Sequence, residues 1–163
     1  MTLTTSYFVT GTDTEVGKTL VSGALILKLK EAGLNASGFK PVAAGTYIDS
    51  SGQKLNEDLE TLRIASGLNP HEQSLCPYIL DEAAAPHIVA KKNDIYLDSS
   101  IILGDLHSLS QQFEVVVVEG AGGFLVPLNE QEDLGDLAQA IDFPVILVIG
   151  MRLGCINHAL LTC

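Results

Sequence analysis

Nine consecutive residues, Gly11-Thr12-Asp13-Thr14-Glu15-Val16-Gly17-Lys18-Thr19, carry the clearest chemistry in this chain. They lie between a short apolar run, Tyr7-Phe8-Val9, and a helical pattern beginning at Leu20. A strand, a glycine-bearing turn and a helix start form an anion cradle, because successive N–H groups and the positive helix end point into the loop. Lys18 adds a mobile cation for β- and γ-phosphates, and the Thr19 hydroxyl is placed to ligate Mg²⁺. The common phosphate-loop pattern is G-x-x-x-x-G-K-[ST]. Here the window ending in Gly17-Lys18-Thr19 opens at Thr12, so the first glycine falls one position early, at Gly11. An ordinary turn with a lysine in the first helical turn is the plain alternative. Gly-Lys-Thr after a buried strand is costly without an anion, and the stretch is read as a nucleoside-triphosphate site.

Other residues fall where the same chemistry could use them. Val115-Val116-Val117-Val118 ends in Glu119, so a rigid strand carries that carboxylate to a sheet edge. Phosphate-loop proteins place there the acid that helps hold Mg²⁺. A solvated strand-end carboxylate is the competing reading, but the Gly120-Ala121-Gly122-Gly123 run that follows lets a phosphate or substrate approach the backbone. Lys40 closes a second apolar run, and Asp58 falls in the first turn of a predicted helix. Taken alone, Lys40 reads equally as an exposed strand-end lysine, and Asp58 as a partner of the helix dipole. His87 and His158 lack metal-like spacing and are read as structural.

The elements that must position these groups alternate between strand and helix. Tyr7 to Thr10 is a strand predicted to be buried on both faces. The next helix carries Leu20, Val21, Ala24, Leu25, Leu29 and Ala32 at helical spacing and stops at Gly33. Residues 36–42 read as a second strand whose pairing Pro41 ends on one side, and 43–54 as a loop. Asn56 is the N-cap of a helix through Ser66, with Leu59, Leu62 and Ala65 inward and Gly67 as its stop. Residues 69–86 read as irregular. A helix follows over 97–113, on Leu97, Ile101, Leu103, Leu106 and Leu109. The valine strand, a short helix over 133–141, a core strand over 144–150 and a helix over 155–163 complete the pattern. Such alternation implies right-handed crossovers and one parallel α/β sheet with helices on both faces, in a single domain spanning 1–163. Ligands of these sheets sit at the carboxyl ends of the strands. The phosphate loop, Lys40-Pro41 and Glu119-Gly120 all lie at such ends.

Composition narrows the partners. With 163 residues, 47% hydrophobic and 18% charged, the chain can bury a real core. A formal charge of -11 argues against nucleic acid or anionic membrane as a partner. Cys76, Cys155 and Cys163 give neither a disulfide framework nor a zinc site. Residues 1–6 lack the features of a leader, and no apolar run reaches a membrane span, so a cytoplasmic location is expected.

The motifs together resemble the dethiobiotin synthetase family. Those that carry the likeness are residues 10–19, Gly38-Phe39-Lys40-Pro41-Val42-Ala43, Val118-Glu119-Gly120-Ala121-Gly122-Gly123 and Leu153-Gly154-Cys155-Ile156-Asn157-His158-Ala159, in the family's order. The resemblance implies ATP- and Mg²⁺-dependent closure of a cyclic urea, in which 7,8-diaminononanoate and CO₂ give dethiobiotin for biotin synthesis. It assigns Thr14, Glu15, Val16, Gly17, Lys18, Thr19, Leu20, Asp58, Glu119, Gly120, Ala121 and Gly122 to the nucleotide. Thr19, Asp58 and Glu119 would hold the metal, and Lys40 and Lys18 would be catalytic. Lys40, Gly122, Pro127, Leu153, Gly154, Cys155 and Asn157 would meet the diamine, the last four from the neighbouring subunit of a homodimer.

Two departures from the family stand out. Ala44 replaces a hydroxyl residue common shortly after Lys-Pro, with Thr46 as the nearest substitute. Family chains also run past the position of Cys163, so an incomplete adenine pocket and a missing C-terminal portion of the fold are expected. The residues alone also suit a switch ATPase of the partitioning or metal-chaperone type, or an inactive relative.

Overall fold

The computed structural model describes residues 5–69 and 74–163. Part of the expected leaderless start and part of the expected irregular stretch, 1–4 and 70–73, lie outside the described residues.

β1 (Tyr7–Gly11) runs into the phosphate loop, and α1 (Lys18–Glu31) follows at once. The helix therefore begins two residues before Leu20, with Lys18 and Thr19 in its first turn. Its inward stripe also differs from the sequence expectation. Lys18, Ser22, Gly23 and Ile26 are buried, whereas Leu20 is 76% exposed and Ala24 and Ala32 face outward. Small residues decide this: a Cβ on Gly23 would stand 3.3 Å from Thr61 of the next helix, so the helices touch where side chains are least.

β2 (Ala36–Phe39) ends earlier than expected, and Pro41 separates it from β3 (Val42–Ala44). The N–H of Lys40 donates to Leu75 O at 2.8 Å, and Pro41 has none to give, so the chain leaves the main sheet there. The predicted loop over 43–54 contains the small antiparallel pair β4 (Tyr47–Ile48) and β5 (Lys54–Leu55). α2 (Glu57–Ser66) has the expected ends: Asn56 accepts the Leu59 N–H at 3.1 Å, and Gly67 takes the left-handed conformation.

The stretch read as irregular is more ordered than periodicity suggested. β6 (Tyr78–Leu80) pairs in parallel with β3 in a separate two-stranded sheet, and α3 (Pro86–Lys92) starts on the fixed φ of a proline. α4 (Ser99–Ser110) is capped by Asp98 and buries Ile102, not Ile101. β7 (Val115–Glu119) is wholly buried, as four β-branched residues in a central parallel strand should be. α5 (Leu134–Ile141) opens on a capping box in which Asp133 and Asp136 satisfy each other's backbone N–H groups. β8 (Val145–Val148) and α6 (Cys155–Thr162) close the chain.

The main sheet is parallel in the order β2-β7-β1-β8. Among the described residues β8 pairs with β1 alone; Val145 is 49% exposed while Ile146 and Val148 pack against the core, so the strand expected in the core is only partly buried. α1 packs on β1, β2 and β7 and against α2, while α4 packs on β7. Phe8, Phe39, Ile26, Leu62, Ile102, Leu109 and the four valines form the shared core. Among the described residues no helix is long and apolar enough to cross a membrane.

Register is what brings the chemistry together. Val9 pairs with Glu119 and Phe39 with Val118, so Lys40 leaves the sheet beside Glu119, at the edge where β1 releases the loop.

Candidate active site

The phosphate loop is shaped by close backbone approach. A Cβ on Gly11 would stand 2.7 Å from Val16 Cγ2 and 3.2 Å from the Asp13 carbonyl oxygen, which explains a glycine one place early. Gly17 caps α1 in the left-handed conformation (φ 98°) without a side-chain cap, leaving the first N–H groups of the helix for an anion. The Lys18 ammonium donates to Asp13 O at 2.8 Å, folded over its own loop. Burial first, and the charge of Lys40 second, hold that ammonium below the ordinary lysine value. An arriving phosphate would offset both effects.

Four side chains meet behind this loop, three from α1, α2 and β7 and the fourth, Lys40, from the residue that follows β2. The Lys40 ammonium lies 2.8 Å from Asp58 Oδ2 and 2.8 Å from Glu119 Oε1. The Thr19 hydroxyl lies 2.7 Å from Asp58 Oδ1 and 2.8 Å from Glu119 Oε1. Burial alone would lower the Lys40 value, but the two carboxylates outweigh it and leave it raised. Burial likewise pushes the Asp58 carboxyl up, and Lys40, aided by Thr19, more than reverses that.

The donor set fits Mg²⁺. A hydroxyl has one proton, so Thr19 bonds only one of its two carboxylate neighbours at a time. The other contact sets two oxygens together with nothing between them. Glu119 is 0% exposed, yet its Oε2 has no hydrogen-bond partner. Two carboxylates and a hydroxyl, one carboxylate oxygen buried without a hydrogen-bond partner, are hard oxygen donors of the kind Mg²⁺ takes, set beside the Lys40 ammonium. Among the described residues no group of three or more His, Cys, Asp or Glu could hold a metal alone.

These groups open into a cavity of about 840 Å³. Thr14, Glu15, Gly17, Lys18, Thr19, Lys40 and Asp58 line its polar side. Ala121, Gly122 and Pro127 of the sequence-predicted set line it as well. Glu119 and Gly120 lie beneath, with Gly120 against the Phe8 ring. Val16 is tucked under the loop, and Leu20 points to solvent. Leu153, Gly154, Cys155 and Asn157 stand apart, at the start of α6, and none lines the cavity. The Thr46 hydroxyl donates to Asp81 Oδ1 at 3.2 Å and lies outside the cavity lining, while Ala44 is part of it.

Sequence reasoning missed the opposite wall. Ala83-Ala84-Ala85-Pro86 and Leu125-Val126 give the cavity an apolar side. The signal was present, since three alanines and a helix-starting proline leave room beyond a strand, but periodicity is blind to it.

Fold and site define a phosphate-loop nucleotide-binding α/β domain. The chain matches the AAA domain family over residues 5–163. It is 49% identical over 163 residues to the ATP-dependent dethiobiotin synthetase BioD of Aromatoleum aromaticum, covering 99% of this chain and 72% of that protein. To the protein of the same name from Ralstonia nicotianae it is 47% identical over 155 residues, 95% of this chain and 67% of the other. Among solved structures, the signal recognition particle receptor FtsY of Elizabethkingia anophelis aligns at TM-score 0.46 and 17% identity, over 100% of this chain and 48% of that one. The chain belongs to the dethiobiotin synthetase family.

Proposed function

We propose that this chain binds ATP with Mg²⁺ and closes a cyclic urea from 7,8-diaminononanoate and CO₂, giving dethiobiotin, ADP and phosphate. The supporting observation is the meeting of Lys40 with Thr19, Asp58 and Glu119 directly behind the phosphate loop. Its relatives' names supply the reaction.

The chemistry needs positioning and charge neutralisation more than covalent help. One amine of the diamine adds to CO₂, losing a proton, to give a carbamate. A carbamate oxygen takes the γ-phosphoryl group, releasing ADP. The second amine then attacks the carbamoyl carbon and expels phosphate, closing the ring. Lys18 and the loop N–H groups hold the β- and γ-phosphates. Lys40 holds the carbamate and the transferring phosphoryl group. Thr19, Asp58 and Glu119 would hold Mg²⁺, which when bound neutralises phosphate charge. The apolar wall of Ala83 to Pro86, Leu125 and Val126 suits the diamine's alkyl chain. In this reading the protein works in the cytoplasm as a homodimer, with Leu153, Gly154, Cys155 and Asn157 completing the neighbour's diamine site.

The test is ADP formation with and without diamine and bicarbonate. Turnover should need both, and Lys18→Ala or Lys40→Ala should each lower it by about a hundredfold or more. Hydrolysis indifferent to the diamine, with dimerisation driven by nucleotide alone, would replace this reading with a switch ATPase. ATP binding absent at millimolar concentration would leave an inactive relative.

A further inference from the structure

The phosphate loop rests on a second support, the end of β8 and the turn that follows it. The Thr12 N–H donates to Val148 O at 3.1 Å. Val16 is wedged between two glycines: a Cβ on Gly11 would stand 2.7 Å from its Cγ2, and one on Gly150 would stand 2.9 Å from its Cγ1. A β-branched side chain has little χ1 freedom, so neither methyl can yield without moving the backbone next to Gly17.

A second link joins the same two segments. Arg152 Nη2 donates to Asp13 Oδ2 at 2.5 Å. The other Asp13 oxygen accepts the Thr14 N–H at 2.8 Å, and the Asp13 carbonyl accepts the Lys18 ammonium. The Thr14 N–H first, and Arg152 second, hold the Asp13 carboxyl below its ordinary value. Asp13 is thus a junction whose three acceptors fix the loop, its lysine and the turn after β8.

We infer that Gly150 and Arg152 are positioning residues that hold the phosphate loop in its anion-ready shape. The inference rests on the nucleotide-binding reading above. It also means that the loop and the stretch from Leu153 onward are mechanically joined within one subunit, through two residues outside the cavity lining.

The experiment is Mg·ADP titration by calorimetry on the full chain and its variants, with thermal melting as a check on folding. Gly150→Ala should weaken binding by about tenfold, the scale expected from forcing one methyl into a packed contact. Val16→Ala added to it should restore affinity to within about threefold of Val16→Ala alone, since the cycle removes the clash. Arg152→Ala, on an exposed side chain that cannot unfold the core, should weaken binding by about two- to fivefold at low salt and less at high salt. Wild-type affinity in Gly150→Ala, or no rescue by Val16→Ala in a folded chain, overturns the role of Gly150. Unchanged low-salt affinity in Arg152→Ala overturns that of Arg152. Failure of the wild-type chain to bind Mg·ADP overturns the nucleotide reading itself, a separate result.

Discussion

The ammonium of Lys40 stands 2.8 Å from Glu119 Oε1, and both side chains are closed to solvent, at 3% and 0% exposure. A buried lysine is tolerable only while its partners stay. Asp58, 41% exposed at its side chain, can turn to water, so Glu119 is the partner that cannot be spared. Glu119→Ala should destabilise the chain by about 3–5 kcal/mol, the usual cost of stranding one member of a buried pair. The paired change Lys40→Met with Glu119→Leu should recover more than half of that. Urea denaturation decides it. A loss near the value of a surface pair, about 1 kcal/mol or less, would show that the carboxylate does not hold the lysine.

Gly38 tests the packing beneath Lys40. A Cβ there would stand 2.9 Å from both Cβ and Cδ2 of Leu62 and 3.1 Å from Ile26 Cδ1, all in the core. Neither α1 nor α2 can retreat without loosening its grip on β2. Gly38→Ala should therefore cost about 1–3 kcal/mol, despite removing a flexible residue from a strand. A stabilised variant would mean that α2 sits further from the sheet than described.

How much of this could be read from the residues alone depends on the range of the interaction. Asn56, Gly67 and the four valines announce themselves locally, because caps and buried strands are made by adjacent residues. Glu119 and Lys40 could be placed at one edge by parallel-sheet topology, but not their 2.8 Å contact, which depends on the register of Phe39 with Val118. Ile102 in place of Ile101, and Ser22 and Gly23 in place of Leu20 and Ala24, show why α-helical faces misled. Hydrophobicity picks the greasiest stripe, whereas close helix contact picks the smallest. The alanine wall, β6 and α3 stayed hidden because their order comes from distant partners such as β3.

Asn56 links a local signal to the site. Its side-chain oxygen accepts the Leu59 N–H, and its amide donates to Gly45 O at 2.6 Å, so it fixes both the start of α2 and the loop before it. Asp58 sits two residues on. Asn56→Ala should cost about 1–2 kcal/mol of stability through the lost cap. Under the proposed function it should also weaken Mg²⁺-dependent nucleotide affinity more than metal-free affinity. Asn56→Asp, which restores the cap acceptor but not the amide donor, should regain most of the helix and only part of the site. Equal losses with and without Mg²⁺ would confine Asn56 to a structural role.

Cys76 gives the pH dependence its alkaline edge. Its thiol is 7% exposed, and burial pushes it up from 9.0 to about 12. The unfolded chain ionises this group first, so the native state keeps its full advantage below pH 9 and loses it between pH 9 and about 12. Three units correspond to roughly 4 kcal/mol at the far end. Lys40 acts in the same direction at higher pH: its raised value makes its contribution complete below 10.5 and lost as pH climbs through the folded value. Asp58 has the opposite sign, its lowered value losing stability as pH falls below 3.8. Subtracting Cys76→Ala from the wild type isolates the thiol, since the other two groups are common to both. The difference in unfolding free energy should be flat from pH 6 to 8 and narrow steadily above pH 9, as the unfolded wild type ionises a thiol that the variant lacks. Parallel curves from pH 6 to 11 would place Cys76 in contact with water and undo the burial argument.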